Sequence, residues 1–233
     1  DDELASFPYV NGGMFAEKNI EIPKFTDELR ELLLQHASSG FDWSDISPTI
    51  FGAVFESTLN PETRRSGGMH YTSIENIHKV IDPLFLNDLK DELNEIRQFK
   101  QIKTVEQRAK QFQSKLASLT FFDPACGSGA FPMGILNRLV KLLEVLDPEN
   151  IFWKTLRING AQLKDNSDEM LKEIKQIFDM DKYTANYSRK LFLIENSIYG
   201  LDIQPMATQI TKLRFFISLV IEQNIDESKP NNG

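Results

Sequence analysis

Cysteine is almost missing from this chain. Cys126 is the single one, and the three histidines, His36, His70 and His78, are scattered through 233 residues. That excludes a disulfide framework and fits a reducing, cytoplasmic setting. It also leaves too few clustered ligands for a zinc centre. No apolar run approaches the ~18 residues of a membrane helix. The longest, Leu213 to Ile221, is broken by Arg214, and no signal-peptide pattern is present. Basic residues are outnumbered, 26 Lys and Arg against 34 Asp and Glu, for a net charge of -8. A dedicated nucleic-acid clamp needs the opposite balance.

What the chain does have is enough apolar residues for a core, 41% of the total. Its most informative stretch is Phe121-Phe122-Asp123-Pro124-Ala125-Cys126-Gly127-Ser128-Gly129-Ala130-Phe131. An apolar strand, Leu119 to Phe122, ends on Asp123. A small-residue bend follows, and a long apolar-faced helix opens at Ala130. Strand, glycine bend and helix form the layout of a nucleotide-type cofactor site. Gly127 and Gly129 can take positive φ and carry no Cβ, so a ligand can approach the backbone. No Gly-Lys-Ser/Thr follows, which excludes a P-loop, and Pro132 stands where G-x-G-x-x-G needs its third glycine.

The remaining elements follow from periodicity and caps. Thr26 is expected to cap a helix ending near Gly40, with Leu29, Leu32, Leu33 and His36 on one face. Ser47-Pro48 opens a second, ended by Asn60-Pro61. Thr72 and Glu75 have capping-box spacing, which predicts a helix from about Ser73 with Ile74, Ile77, Val80 and Ile81 along it. Leu84 to Gln98 reads as a charged helix, and Thr104 with Gln107 as the cap of another ending near Ser118. The stripe after the bend runs from Ala130 to Leu146, where Asp147-Pro148 stops it. Helices at Asp168–Phe178 and Tyr187–Ile194 and a Phe152-Trp153 anchor suggest an inserted helical layer.

Ile198 to Leu201 is a second short strand ending on Asp202. Pro205 then begins a helix with Ile210, Leu213, Phe216, Ile217 and Val220 on one face. An acidic residue at this strand tip can accept hydrogen bonds from ribose hydroxyls, or it can simply cap the next helix. Asp202 lies 79 residues beyond Asp123, further than the usual ~20. The helical insertion accounts for the excess.

The nine residues Asp123 to Phe131 resemble motif I of the S-adenosylmethionine-dependent DNA methyltransferases, in the N6-adenine branch. Gly68-Met69-His70-Tyr71-Thr72-Ser73 is similar to motif X of the same enzymes, although a Gly-Gly entering a capped helix is also an ordinary linker. F-P-Y-V-N-G-G-M-F at 7–15, S-P-T-I-F-G-A-V-F-E at 47–56 and P-L-F-L-N-D-L at 83–89 extend the likeness to fused type II restriction–modification enzymes of the IIG and IIL kind. One subgroup carries Cys-Gly-Cys-Gly-Asn-Phe in the bend. Ser128 and Ala130 depart from it here.

The resemblance implies an α/β architecture. Residues 1–66 would be a helical spacer and 67–118 a helical region with motif X. Residues 119–233 would be the first half of a Rossmann-like methyltransferase domain with an incomplete sheet. It implies S-adenosylmethionine as cofactor, held by His70, Tyr71, Thr72, Asp123, Pro124, Ala125, Cys126, Gly127, Ser128, Gly129, Asp202 and Ile203, with no metal. It implies double-stranded DNA as partner, contacted mostly through other regions. Arg64 and Arg65 could reach a phosphate or form a solvated pair. The family's Asn/Asp-Pro-Pro-Tyr/Phe motif does not occur, since no two prolines are adjacent, so no catalytic residue is assigned. Cys126 lies inside motif I with no base beside it and is not read as a nucleophile. The start at Asp1 without Met and the Pro230-Asn231-Asn232-Gly233 end suggest a fragment that is inactive alone. Two rival readings are the modification subunit of a multi-subunit restriction system and a non-catalytic helical interaction module.

Overall fold

The computed structural model describes residues 24–37, 72–162, 167–179 and 183–224. The expected helix at Ser47, the arm at Phe7–Val10, the Arg64-Arg65 pair and the turn holding His70 and Tyr71 lie outside them. Helix α1, Asp27–Ala37, belongs to a separate compact unit. Its cap is the expected one: Thr26 Oγ1 accepts from the Leu29 amide at 3.3 Å.

Among the described residues, the first helix of the second unit is α2, Ile74–Ile81. Its cap is Ser73 and not Thr72, because Ser73 Oγ accepts from the Asn76 amide at 3.3 Å. Glu75 therefore falls one position short of a capping box and instead pairs with Lys79, one turn along, at 2.7 Å. Pro83 has no N–H for the α ladder, and the chain passes through a π turn, Asp82–Leu86, before α3, Asn87–Gln98. Helix α4, Ile102–Ser118, starts earlier than Thr104 suggests. Gln101 is its N-cap, and Thr104, three residues in, donates to the Gln101 side chain at 3.4 Å. Phe112 and Leu116 are buried as the pattern requires.

Strand β1, Phe121–Asp123, leads into α5, Ala130–Leu146. Then come α6, Ile151–Gln162, α7, Ser167–Ile177, and α8, Ala185–Asn196, the expected helical insertion. Strand β2, Ile198–Gly200, and α9, Pro205–Val220, follow. The two strands are parallel neighbours, Phe121 opposite Ile198 and Asp123 opposite Gly200. Parallel pairing requires a long crossover, and α5 to α8 supply it. The result is mostly helical with a small parallel sheet, an α/β arrangement.

Helix α5 is the hub, packed on α2, α4, α8 and β2, with Leu136, Leu139 and Leu143 fully buried. Its contact with α2 is close because Gly134 faces Ile77. A Cβ at 134 would stand 2.5 Å from Ile77 Cγ2, and a β-branched side chain in a helix has little rotamer freedom to yield. Gly134→Ala is expected to cost about 1–3 kcal/mol, read as a lower urea midpoint with unchanged slope.

Candidate functional site

Parallel pairing brings the two strand ends side by side; β1 ends on Asp123, and Asp202 follows two residues beyond the end of β2. The ladder continues past the strands into the bend. Leu201 N donates to Asp123 O at 2.9 Å, and Cys126 N to Leu201 O at 3.0 Å. Gly200 permits this closeness: a Cβ there would lie 3.0 Å from Cys126 Cβ. Asp123 Oδ1 accepts from Ala125 N at 3.1 Å, which turns the chain out of β1. Its other oxygen, Oδ2, is buried without a hydrogen-bond partner.

Asp202 performs two tasks. Oδ2 accepts from Gly127 N at 2.9 Å, across 75 residues of sequence, and Oδ1 accepts from Gln204 N at 2.8 Å. It is therefore both the carboxylate that closes the bend and the cap-side turn that starts α9. Gly127 and Gly129 have φ of +54° and +80°, the left-handed region that side chains disfavour. Gly129 N closes the turn on Cys126 O at 2.8 Å. Ala130 and Phe131 open α5, where a helix supplies no acceptor for its own first amides.

Two residues that periodicity does not reveal complete the bend. Thr211 Oγ1 donates to Gly127 O at 3.0 Å, and Arg214 Nη1 to Ser128 O at 2.6 Å. The buried side of α9 is thus Ala207, Ile210, Thr211, Arg214 and Ser218. Of the expected stripe only Ile210 is buried; Val220 is exposed, and Leu213, Phe216 and Ile217 are half-buried. The inner side of α9 combines apolar contacts with side-chain bonds to backbone carbonyls of the bend. The signal in the sequence was Arg214 itself, a charge inside a greasy segment.

The other expected site residues divide by position. Cys126 and Gly129 are buried, Gly127, Ser128, Asp123 and Asp202 half-buried, and Pro124, Ala125 and Ile203 exposed. Thr72 is half-buried beside the α2 cap, and His70 and Tyr71 lie outside the described residues. The described residues contain no cluster of His, Cys, Asp and Glu suited to a metal and no helix long and apolar enough to cross a membrane. Burial, and next the nearby charge of Asp123, push the Cys126 thiol above its ordinary range. The thiolate is the reactive form. Iodoacetamide at pH 8 is expected to alkylate folded Cys126 at least about tenfold more slowly than the urea-unfolded chain, as followed by mass spectrometry.

No protein-family profile matches the chain. It is 29% identical over 228 residues to DNA methyltransferase A of Bacillus subtilis, covering 98% of this chain and 21% of that protein. It is 26% identical over 265 aligned positions to a putative type II restriction enzyme and methyltransferase of Methanocaldococcus jannaschii, covering 97% of this chain and 19% of that protein. Among solved structures it is similar to the type IIL restriction–modification enzyme MmeI, determined in complex with DNA. The TM-score is 0.57 and the identity 30%, over 99% of this chain and 27% of that one. The chain thus resembles such enzymes along nearly its whole length, as its two motifs implied, while spanning about a fifth to a quarter of theirs.

Proposed function

We propose that this chain is the cofactor-binding half of an S-adenosylmethionine-dependent DNA adenine-N6 methyltransferase in a fused restriction–modification enzyme. Residues 119–233 then form the first half of a Rossmann-like domain, residues 67–118 the motif X region and residues 1–66 a helical spacer. The observation that carries the reading is the pair of carboxylates at and just past the ends of the adjacent strands, Asp123 and Asp202, with Asp202 bonded to Gly127 N at 2.9 Å.

The residues fit the cofactor. Asp123 Oδ2 is a buried acceptor with nothing to accept from, which suits the ammonium of a methionine moiety. A Cβ at Gly127 would meet nothing within 4 Å, so that side of the bend lies open to a ligand. Each Asp202 oxygen accepts one amide and keeps a second lone pair for a ribose hydroxyl. Pro124 to Gly129 would line the methionine part, Ile203 would pack beside the nucleoside, and His70, Tyr71 and Thr72 would close the site from motif X.

When bound, S-adenosylmethionine supplies an electrophilic methyl group on a sulfonium. The chain's own share is to bind and orient, by placed hydrogen bonds and charge. Recognition of the adenine amine belongs to the Asn/Asp-Pro-Pro-Tyr/Phe motif, which these 233 residues lack. Double-stranded DNA is the substrate, held mainly by other regions, in keeping with the net charge of -8.

Calorimetry of the complete gene product with S-adenosylmethionine tests this. Binding, followed by transfer of labelled methyl to adenine in duplex DNA, is expected. No heat up to ~1 mM cofactor would leave the helical interaction module as the better description.

A further inference from the structure

Helix α9 gives the inner side of its middle turns to polar residues, although the same helix has enough apolar ones to pack conventionally. Arg214 is 2% exposed and Thr211 8%. Burying a guanidinium is unfavourable unless its donors are used, and Arg214 uses Nη1 on the carbonyl of Ser128. Thr211, one helical turn earlier, bonds the preceding carbonyl, that of Gly127. Two side chains at i and i+3 on one helix therefore hold two consecutive carbonyls of the bend. Gly127 is held from both ends, because its N–H goes to Asp202. Thr211 also fills the space beside Gly129, where a Cβ would stand 2.8 Å from Thr211 Cγ2 and 2.9 Å from Oγ1.

We propose that Thr211 and Arg214 are positioning residues for the cofactor bend. They tether its carbonyls to α9 and so fix, before any ligand arrives, the direction in which its remaining N–H groups point. Free glycines at positive φ sample many conformations. Tethered ones present a single face, which lowers the ordering cost of binding. The purpose rests on the cofactor reading above; the tether rests on geometry alone.

The test combines amide hydrogen exchange with methyl-transfer kinetics on the complete gene product and its Thr211→Val, Thr211→Ser and Arg214→Lys variants. Thr211→Val keeps the shape and removes the donor. It is expected to speed exchange of the amides of residues 126–130 about tenfold, leave the α5 core amides at Leu139 to Leu143 unchanged, and raise KM for S-adenosylmethionine about tenfold with kcat little altered. Thr211→Ser restores both, and Arg214→Lys falls between. Bend exchange unchanged in both Thr211→Val and Arg214→Lys overturns the tether. Faster bend exchange with KM unchanged overturns the positioning role, and faster exchange throughout the core reduces Thr211 to a packing residue. If the wild-type protein itself neither binds the cofactor nor transfers methyl, the cofactor reading fails, and the exchange experiment still decides whether the tether exists.

Discussion

Asp202→Asn is expected to weaken S-adenosylmethionine binding by the complete gene product about 100-fold. The substitution is nearly isosteric, so the loss comes from chemistry and not from space. Asp202 accepts from Gly127 N through one oxygen and from Gln204 N through the other. Asparagine has one acceptor oxygen. Whichever way the amide is turned, one of those two N–H groups faces another N–H. Leaving such a donor unmet costs about 1–3 kcal/mol, and the bend or the start of α9 loosens. The charge that would strengthen hydrogen bonds from ribose hydroxyls is lost as well, worth roughly the difference between a charged and a neutral partner. Together these approach ~3 kcal/mol, or two decades in dissociation constant. Asp202→Glu keeps the charge and misplaces it by a methylene, so it should fall between wild type and Asn. Calorimetry giving an Asn variant within threefold of wild type would remove Asp202 from the ribose and leave it a structural cap.

The parts of this molecule that were legible in its sequence are those set by local rules. The limits of α5 are read without error because the glycine bend opens it, an apolar stripe fills it and Asp147-Pro148 ends it. The two strands were legible as apolar runs leading to an aspartate, but their limits shifted: β1 begins two residues after Leu119 and takes in Asp123, and β2 stops at Gly200, two residues before Asp202. Boundaries set by a choice between equivalent groups were not. Thr72 and Ser73 are both good caps, and only the folded turn decides for Ser73. The widened turn at Asp82–Leu86 depends on how the chain accommodates Pro83, which periodicity does not specify. The inward face of α9 was illegible for a deeper reason. Its partners, the carbonyls of Gly127 and Ser128, lie 84 and 86 residues away and have no side-chain signature, so apolar periodicity could not give the inward face, and Arg214 was the one residue within the helix that hinted at it.

The helical insertion leads to a second large effect. Trp153→Ala is expected to cost about 3–5 kcal/mol, a substantial share of the ~5–15 kcal/mol that holds a domain folded. Trp153 is fully buried and meets Phe192 of α8 edge-on, ring centres 5.0 Å apart. Its backbone is fixed too, since Asp147 Oδ2 accepts from Trp153 N at 2.8 Å while Oδ1 accepts from Ile151 N. Arg189 of α8, itself 2% exposed, donates to the carbonyls of Asp147 and Pro148 and locks the same corner from the other side. The indole N–H has no partner in this pocket, so Trp153→Phe removes an unmet donor along with some volume and should cost less than about 1.5 kcal/mol. The consequence reaches the site because α8 runs straight into β2, where Ser197 O accepts from Phe121 N at 2.7 Å. A cavity under Phe192 is expected to loosen α8 and with it β2, and Asp202 follows two residues after β2. Urea denaturation should therefore show the Ala variant losing most of its margin and the Phe variant little. Hydrogen exchange should place the faster amides of the Ala variant in β2 as well as in α6 and α8. Faster exchange confined to α6 and α8 would mean that the insertion is an appendage and that the strand pair stands without it.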